Sequence, residues 1–150
     1  EAIFDQQNHT AKTYTGEKDP KKFEGEFTIP EYTQDAMSAF YYFRTLDYSK
    51  MKEGDKILLQ NFYKDTTYPL QVKYLGKETI EVTAGEFRCI KVEPLVQEGG
   101  LFKSEGSIVV WMTDDDRRMP VKVKTKVIIG SIDADLSEYT GLAGPLNSKK

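Results

Sequence analysis

Along most of the chain, apolar and polar positions alternate with a period of two. Phe23, Gly25, Phe27 and Ile29 alternate with Glu24, Glu26 and Thr28, Leu70, Val72 and Tyr74 with Gln71 and Lys73, and Ile80 and Val82 with Thr79, Glu81 and Thr83. Such alternation marks strands with one buried face. Turn signals stand between the strands at Lys52-Glu53-Gly54-Asp55, Gly76-Lys77, Ala84-Gly85-Glu86 and Glu98-Gly99-Gly100. Their spacing favours hairpins and a meander over crossover connections, so an antiparallel sheet is expected.

One segment has a different period. From Thr33 to Leu46 (TQDAMSAFYYFRTL), Ala36, Ala39, Phe40, Phe43 and Leu46 share one face of a helical repeat, and Thr33 or Asp35 is available to cap its start. Met37, Tyr41 and Tyr42 flank that stripe, which predicts a helix lying in the hollow of a curved sheet. Ile108–Met112 and Val127–Ile129 are apolar on both strand faces, as central strands covered on both sides are. The pattern therefore gives an α+β, mainly β fold: a curved antiparallel sheet, open or half barrel, wrapped around one helix near 33–46. Residues 1–139 form a single β-rich domain in this reading. From Thr140 (TGLAGPLNSKK), Gly, Pro and polar residues predict a flexible tail over 140–150.

Composition narrows the function classes. The 150 residues carry a net charge of −3 with 39% hydrophobic and 30% charged residues, which describes neither a disordered polymer nor a polycation suited to nucleic acid. No apolar run approaches the roughly 20 residues of a membrane span. The chain opens at Glu1 rather than at Met with a basic and apolar leader, which points to a processed or trimmed chain. The single Cys89 excludes an intrachain disulfide framework.

The densest charge lies in VVWMTDDDRRMPVKV, where Asp114, Asp115, Asp116, Arg117 and Arg118 connect two strands. Asp-rich connections bond their own backbone and stay solvated, so a turn is the economical reading. A metal site wants oxygen ligands alternating along a loop with a glycine at the bend, and these acids are consecutive. Arg44 projects about 40° of helical arc from Phe40, beside the apolar stripe. A guanidinium there needs an acceptor, which predicts a structural ion pair from Arg44 to Asp114, Asp115 or Asp116.

Other candidates for chemistry are thin. His9 sits in the polar stretch QQNHTAKTYTG without a partner motif and reads as an exposed loop imidazole. Cys89 lies in the strand EFRCIKV and reads as a small apolar filler. Lys122, Lys124 and Lys126 line one side of a strand, as at a solvated sheet edge. No GxGxxG, P-loop, CxxC or HExxH motif occurs, and nothing calls for a cofactor or a metal. Aromatic residues offer the remaining lead: Phe40, Tyr41, Tyr42, Phe62, Tyr74 and Trp111 are the candidate walls of a groove for an apolar or amphipathic small molecule.

The succession AMSAFYYFR, KEGD, GEFRCIKVEP, VVWMTDDDRRMPVKV and VIIGSIDADL resembles the exported proteins of Gram-negative bacteria grouped as domain of unknown function 3108. The resemblance implies a periplasmic or outer-membrane-associated location and a curved sheet similar to that of the outer-membrane lipoprotein carriers. It implies no catalytic residues. Members tend to run longer at the N-terminus, so the resemblance also implies the expectation of a C-terminal portion of a longer protein, with Glu1–Phe4 as an edge or truncated strand.

Three function classes follow. A non-enzymatic binding module of the cell envelope needs a cavity. A structural or interaction domain, docking an envelope protein, has that hollow filled by its own side chains. A hydrolase needs converging titratable groups, and its place in this reading is carboxylates or a metal at Asp114–Asp116.

Overall fold

The computed structural model describes residues 1–95, 108–126 and 129–150. A small antiparallel sheet comes first: β1 (Ala2–Asp5), β2 (Thr10–Thr15) and β3 (Lys22–Thr28), in that order, with β1 at an edge. Helix α1 (Ala36–Phe43) follows. A six-stranded antiparallel meander completes the fold: β4 (Lys56–Tyr63), β5 (Thr66–Val82), β6 (Gly85–Leu95), β7 (Ile108–Thr113), β8 (Pro120–Lys126) and β9 (Ser131–Asp135), neighbours in chain order throughout. The fold is thus mainly β, with antiparallel sheets, one helix among the described residues and no closed barrel. No helix among the described residues is long and apolar enough to cross a membrane.

The helix is shorter than its apolar repeat because both flanks have other partners. Asp35 accepts from the Ser38 backbone N–H at 2.7 Å while the Ser38 hydroxyl accepts from the Asp35 N–H, a reciprocal cap that fixes the first turn. Before it, Gln34 bonds to Gln60 and Phe62 as a bridge along β4, and the Thr33 hydroxyl donates to the Pro30 carbonyl. After Phe43, bonds from Arg44, Thr45 and Leu46 reach back only three residues and tighten the chain out of the helix.

One face of the meander carries the principal core, where Ala39 and Phe43 of the helix meet Leu59, Val72, Tyr74, Ile90, Val92, Val110 and Met112. The opposite face carries a second core of Val82, Phe87, Cys89, Trp111, Met119 and Val121. Central strand β7 is buried on both sides, as its sequence predicts. Of the second stretch expected to be covered on both sides, Val127 and Ile128 lie outside the described residues, and Ile129 is exposed just beyond β8.

How one sheet feeds two cores is explained by Gly76. The sequence reads Gly76-Lys77 as a turn between two strands; instead β5 runs unbroken through it for 17 residues with a bulge. Tyr74 pairs with Val92 and Lys77 with Ile90, so two residues of β5 oppose one of β6. Gly76 supplies the φ of +89° that this bulge needs. The extra residue reverses the alternation: Leu70, Val72 and Tyr74 face the helix, whereas Ile80 and Val82 pack on the other side. A second irregularity between Trp111 and Met112 does the same on β8, where Val123 joins the helix-side core and Val121 the opposite one.

Two further expectations are corrected. The lysines of β8 do not mark an edge, because β9 pairs outside them; Lys122 meets Asp135 at 2.9 Å and Lys124 meets Asp133 at 3.7 Å. Of the stretch 140–150, residues 140–143 are exposed as a tail is, whereas its end is docked: Leu146 packs on the second core and Ser148 is 1% exposed. Composition signalled a loop there, but the segment has backbone partners on β6.

Phe43, 4% exposed, and Tyr41, 58% exposed, lie two positions apart on the helix and test its placement. Phe43→Ala is expected to destabilise the fold by about 3–5 kcal/mol, the range for deleting a core aromatic, and Tyr41→Ala by less than about 1 kcal/mol. Urea unfolding of the two variants measures the difference.

Candidate functional site

A cleft of about 630 Å³ opens between the small sheet, the start of α1 and the β4–β5 hairpin. Its apolar wall is built by Phe27 of β3, Phe62 of β4 and Met37 of the helix. Phe62 is buried edge-on against Phe4 at 5.8 Å and tilted against Phe27 at 5.7 Å. By strand alternation Phe62 turns away from Leu59, which faces the helix-side core, so this aromatic group forms a third core with Ala11 and Ile29. The rim is polar. Lys64 sits in the hairpin at φ +60° with its ammonium 5.5 Å over the Tyr63 ring, and Glu24 and Asp65 lie beside them.

The six aromatic residues proposed as groove walls do not converge. Phe62 lines the cleft. Tyr74 stacks on Tyr48 at 5.8 Å inside the helix-side core, and Phe40 is packed against that same core. Tyr41 and Tyr42 point outward, exposed. Trp111 lies on the opposite face, where its indole N–H donates to Glu78 at 3.0 Å and Lys91 sits 5.2 Å over its ring. The Trp111 hydrogen bond, then that of Lys91, holds the Glu78 carboxyl below its ordinary range. Met37, Phe27 and Tyr63 also line the cleft, and the signal for Met37 in the sequence is an apolar side chain flanking the helix stripe.

The DDDRR stretch is the turn between β7 and β8, as expected of it, but its partners differ from the expected ones. Arg44 does not pair with an aspartate: its Nε donates to the Arg118 carbonyl and its Nη2 to the Arg117 carbonyl, both at 3.0 Å. The turn presents these oxygens to the helix and keeps the carboxylates on its other side, so the brace joins the predicted elements through backbone acceptors. Asp114 instead meets Lys77 at 2.9 Å and Arg88 at 3.0 Å. Asp115 accepts from the Thr113 hydroxyl, the Arg117 N–H and both the N–H and hydroxyl of Ser148. Asp116 is exposed.

Burial opposes the charge on Asp115, yet the hydrogen bonds from Ser148, Thr113 and Arg117 outweigh it and hold the carboxyl below its ordinary value. Asp114 is likewise lowered, with burial opposed by Lys77 and Arg88. The oxygens of Asp115 are committed to structural donors, which leaves none free to activate water in a hydrolytic role. Among the described residues no group of three or more His, Cys, Asp or Glu is placed to hold a metal ion. Cys89 is fully buried, and burial, with Asp114, Asp115 and Glu78 nearby, pushes its thiol up to about 12, which keeps it protonated and inert. His9 lies exposed in the β1–β2 turn at φ +54°.

Because the folded values of Asp114 and Asp115 are depressed, their stabilisation is complete above the unfolded value near 3.8 and is lost as pH falls through the folded values. Unfolding midpoints in urea are therefore expected to drop below about pH 4. Asp115→Asn should weaken the fold at pH 7 by roughly 1.5–3 kcal/mol, as lost charged hydrogen bonds do, and flatten that acid limb. An acid limb as steep as wild type would show that Asp115 does not titrate in this role.

No curated protein and no solved structure matches the chain. A family profile does, described as Protein of unknown function (DUF3108), and the match runs over residues 1–137, from the edge strand β1 through β9. That span takes in both sheets, the helix and the cleft, and the chain accordingly belongs to the DUF3108 family of proteins of unknown function.

Proposed function

We propose that this protein is a non-enzymatic binding module of the cell envelope that takes an apolar or amphipathic ligand in the cleft beside α1. The observation that carries the reading is the cleft itself: about 630 Å³ of open volume with Phe27, Phe62 and Met37 on its wall. Gaps in a packed core are no larger than a water molecule, and small-molecule sites run from roughly 300 to 1,000 Å³. The wall is rigid because Phe62 is locked between Phe4 and Phe27. A ligand's apolar part lies against these rings, and its polar end meets Lys64, Glu24 or Asp65 at the rim. Placement outside the cytoplasm rests on the family resemblance, and fractionation of cells making the full-length protein tests it.

Binding is read by titrating fatty acids, lysophospholipids and a fluorescent acyl probe. Trp111 faces away from the cleft, so probe emission and thermal midpoint are the signals to follow. A ligand at a hundred times its Kd stabilises the native state by about 2.7 kcal/mol. Met37→Glu, a change at a position 66% exposed, is expected to weaken binding about tenfold or more while leaving the unliganded midpoint in place. Loss of the probe signal across the whole panel, or affinity indifferent to Met37→Glu, would remove the cleft as the site.

A further inference from the structure

The family match ends at residue 137, and the chain beyond it returns to the sheet and docks. At Glu86–Arg88, β6 has β5 on one side, while β7 pairs with it only from Cys89 onward. The Asp114 N–H donates to the Arg88 carbonyl on that side, and the segment 148–150 covers the rest of it through one isolated antiparallel bridge. The Arg88 N–H donates to the Ser148 carbonyl at 2.8 Å, and the Lys150 N–H donates to the Glu86 carbonyl at 3.0 Å, with Phe87 opposite Lys149.

Side chains add selection at four positions. Leu146 packs on the core around Phe87 and Met119. Ser148 gives its N–H and hydroxyl to one oxygen of Asp115, at 3.1 and 2.7 Å. The Lys149 ammonium lies 5.1 Å over Tyr139 and 5.6 Å over Phe87, and Lys150 reaches Glu86 at 3.0 Å. The connecting residues 140–143 are exposed, and Gly141 sits at φ +69°.

We propose that the start of β6 and the Asp115 turn form a peptide-docking site, occupied here by the chain's own segment 146–150. It takes a peptide with an apolar residue two places before a serine or threonine and a lysine directly after it, the residue after the hydroxyl-bearing one pairing with β6. Backbone pairing along an open strand edge supplies affinity without sequence preference. The carboxylate of Asp115 supplies the preference, since an O–H bond to a charged acceptor is among the strong ones and alanine cannot make it. The site is separate from the cleft and independent of its ligand.

The test inserts a specific protease site between Gly141 and Leu142 of the full chain and follows the backbone amides of Arg88 and Arg117 by NMR after cutting. Release of the segment should shift both signals, and a synthetic peptide of residues 142–150 should restore them saturably. The Ser148→Ala peptide should bind about tenfold more weakly. Retention of the cut segment through gel filtration also supports docking, provided that Ser148→Ala in the chain abolishes it. Unfolding that added peptide reverses is complementation and counts in favour. Unfolding or signal shifts that no peptide reverses, or equal affinity for the alanine peptide, would overturn the proposal.

Discussion

The carboxylate of Asp115 is the constraint on which one whole corner of this fold depends. It gathers four donors from three parts of the chain: the end of β7, the turn itself and the stretch beyond residue 140. A neutral side chain cannot serve so many donors at once, because an ionised carboxylate alone offers acceptor sites without a competing donor. Thr113 extends the arrangement, since its hydroxyl donates to Asp115 and accepts from the Met119 N–H at 2.8 Å. The turn is thereby closed from inside, and Met119 is delivered into the second core.

A closed turn leaves its backbone carbonyls pointing outward, and the helix is attached to these. Arg118, at φ +45°, and Arg117 offer their oxygens to the Arg44 guanidinium, whose planar fork spans both. Tyr48 completes the joint: its hydroxyl donates to the Phe43 carbonyl at the helix end, and the Arg118 guanidinium lies 5.5 Å over its ring. Burial pushes the Tyr48 phenol up to about 12, so this donor keeps its proton. Helix, turn and second core are therefore coupled through one polar chain running from Ser148 to Phe43.

Legibility in the sequence divides along the same line between local and non-local causes. The strand alternation of Phe23–Ile29 and Leu70–Tyr74, the meander and the Asp35 cap each follow from residues within a turn or a few positions of one another. Gly76 in sequence reads as a turn because glycine marks both turns and bulges, and only pairing with β6 distinguishes them. Charge alone points Arg44 to an aspartate, whereas the turn geometry offers it the carbonyls of Arg117 and Arg118. Ser148 was hidden within a stretch of loop-forming composition, since its burial depends on Asp115, 33 positions away.

The aromatic residues show the same limit more sharply. Phe62, Tyr74 and Trp111 are all strand residues, but each strand's parity relative to its neighbours decides which core a ring enters, and two bulges change that parity partway along the meander. The three end in three different cores. A cleft arises where elements fail to close on one another, here between the small sheet and the β4–β5 hairpin, and no single element's periodicity encodes such a gap. The rings that a fold can spare for binding are those at its seams, and Phe62, set where the small sheet meets β4, is the one candidate groove residue that lies on such a seam.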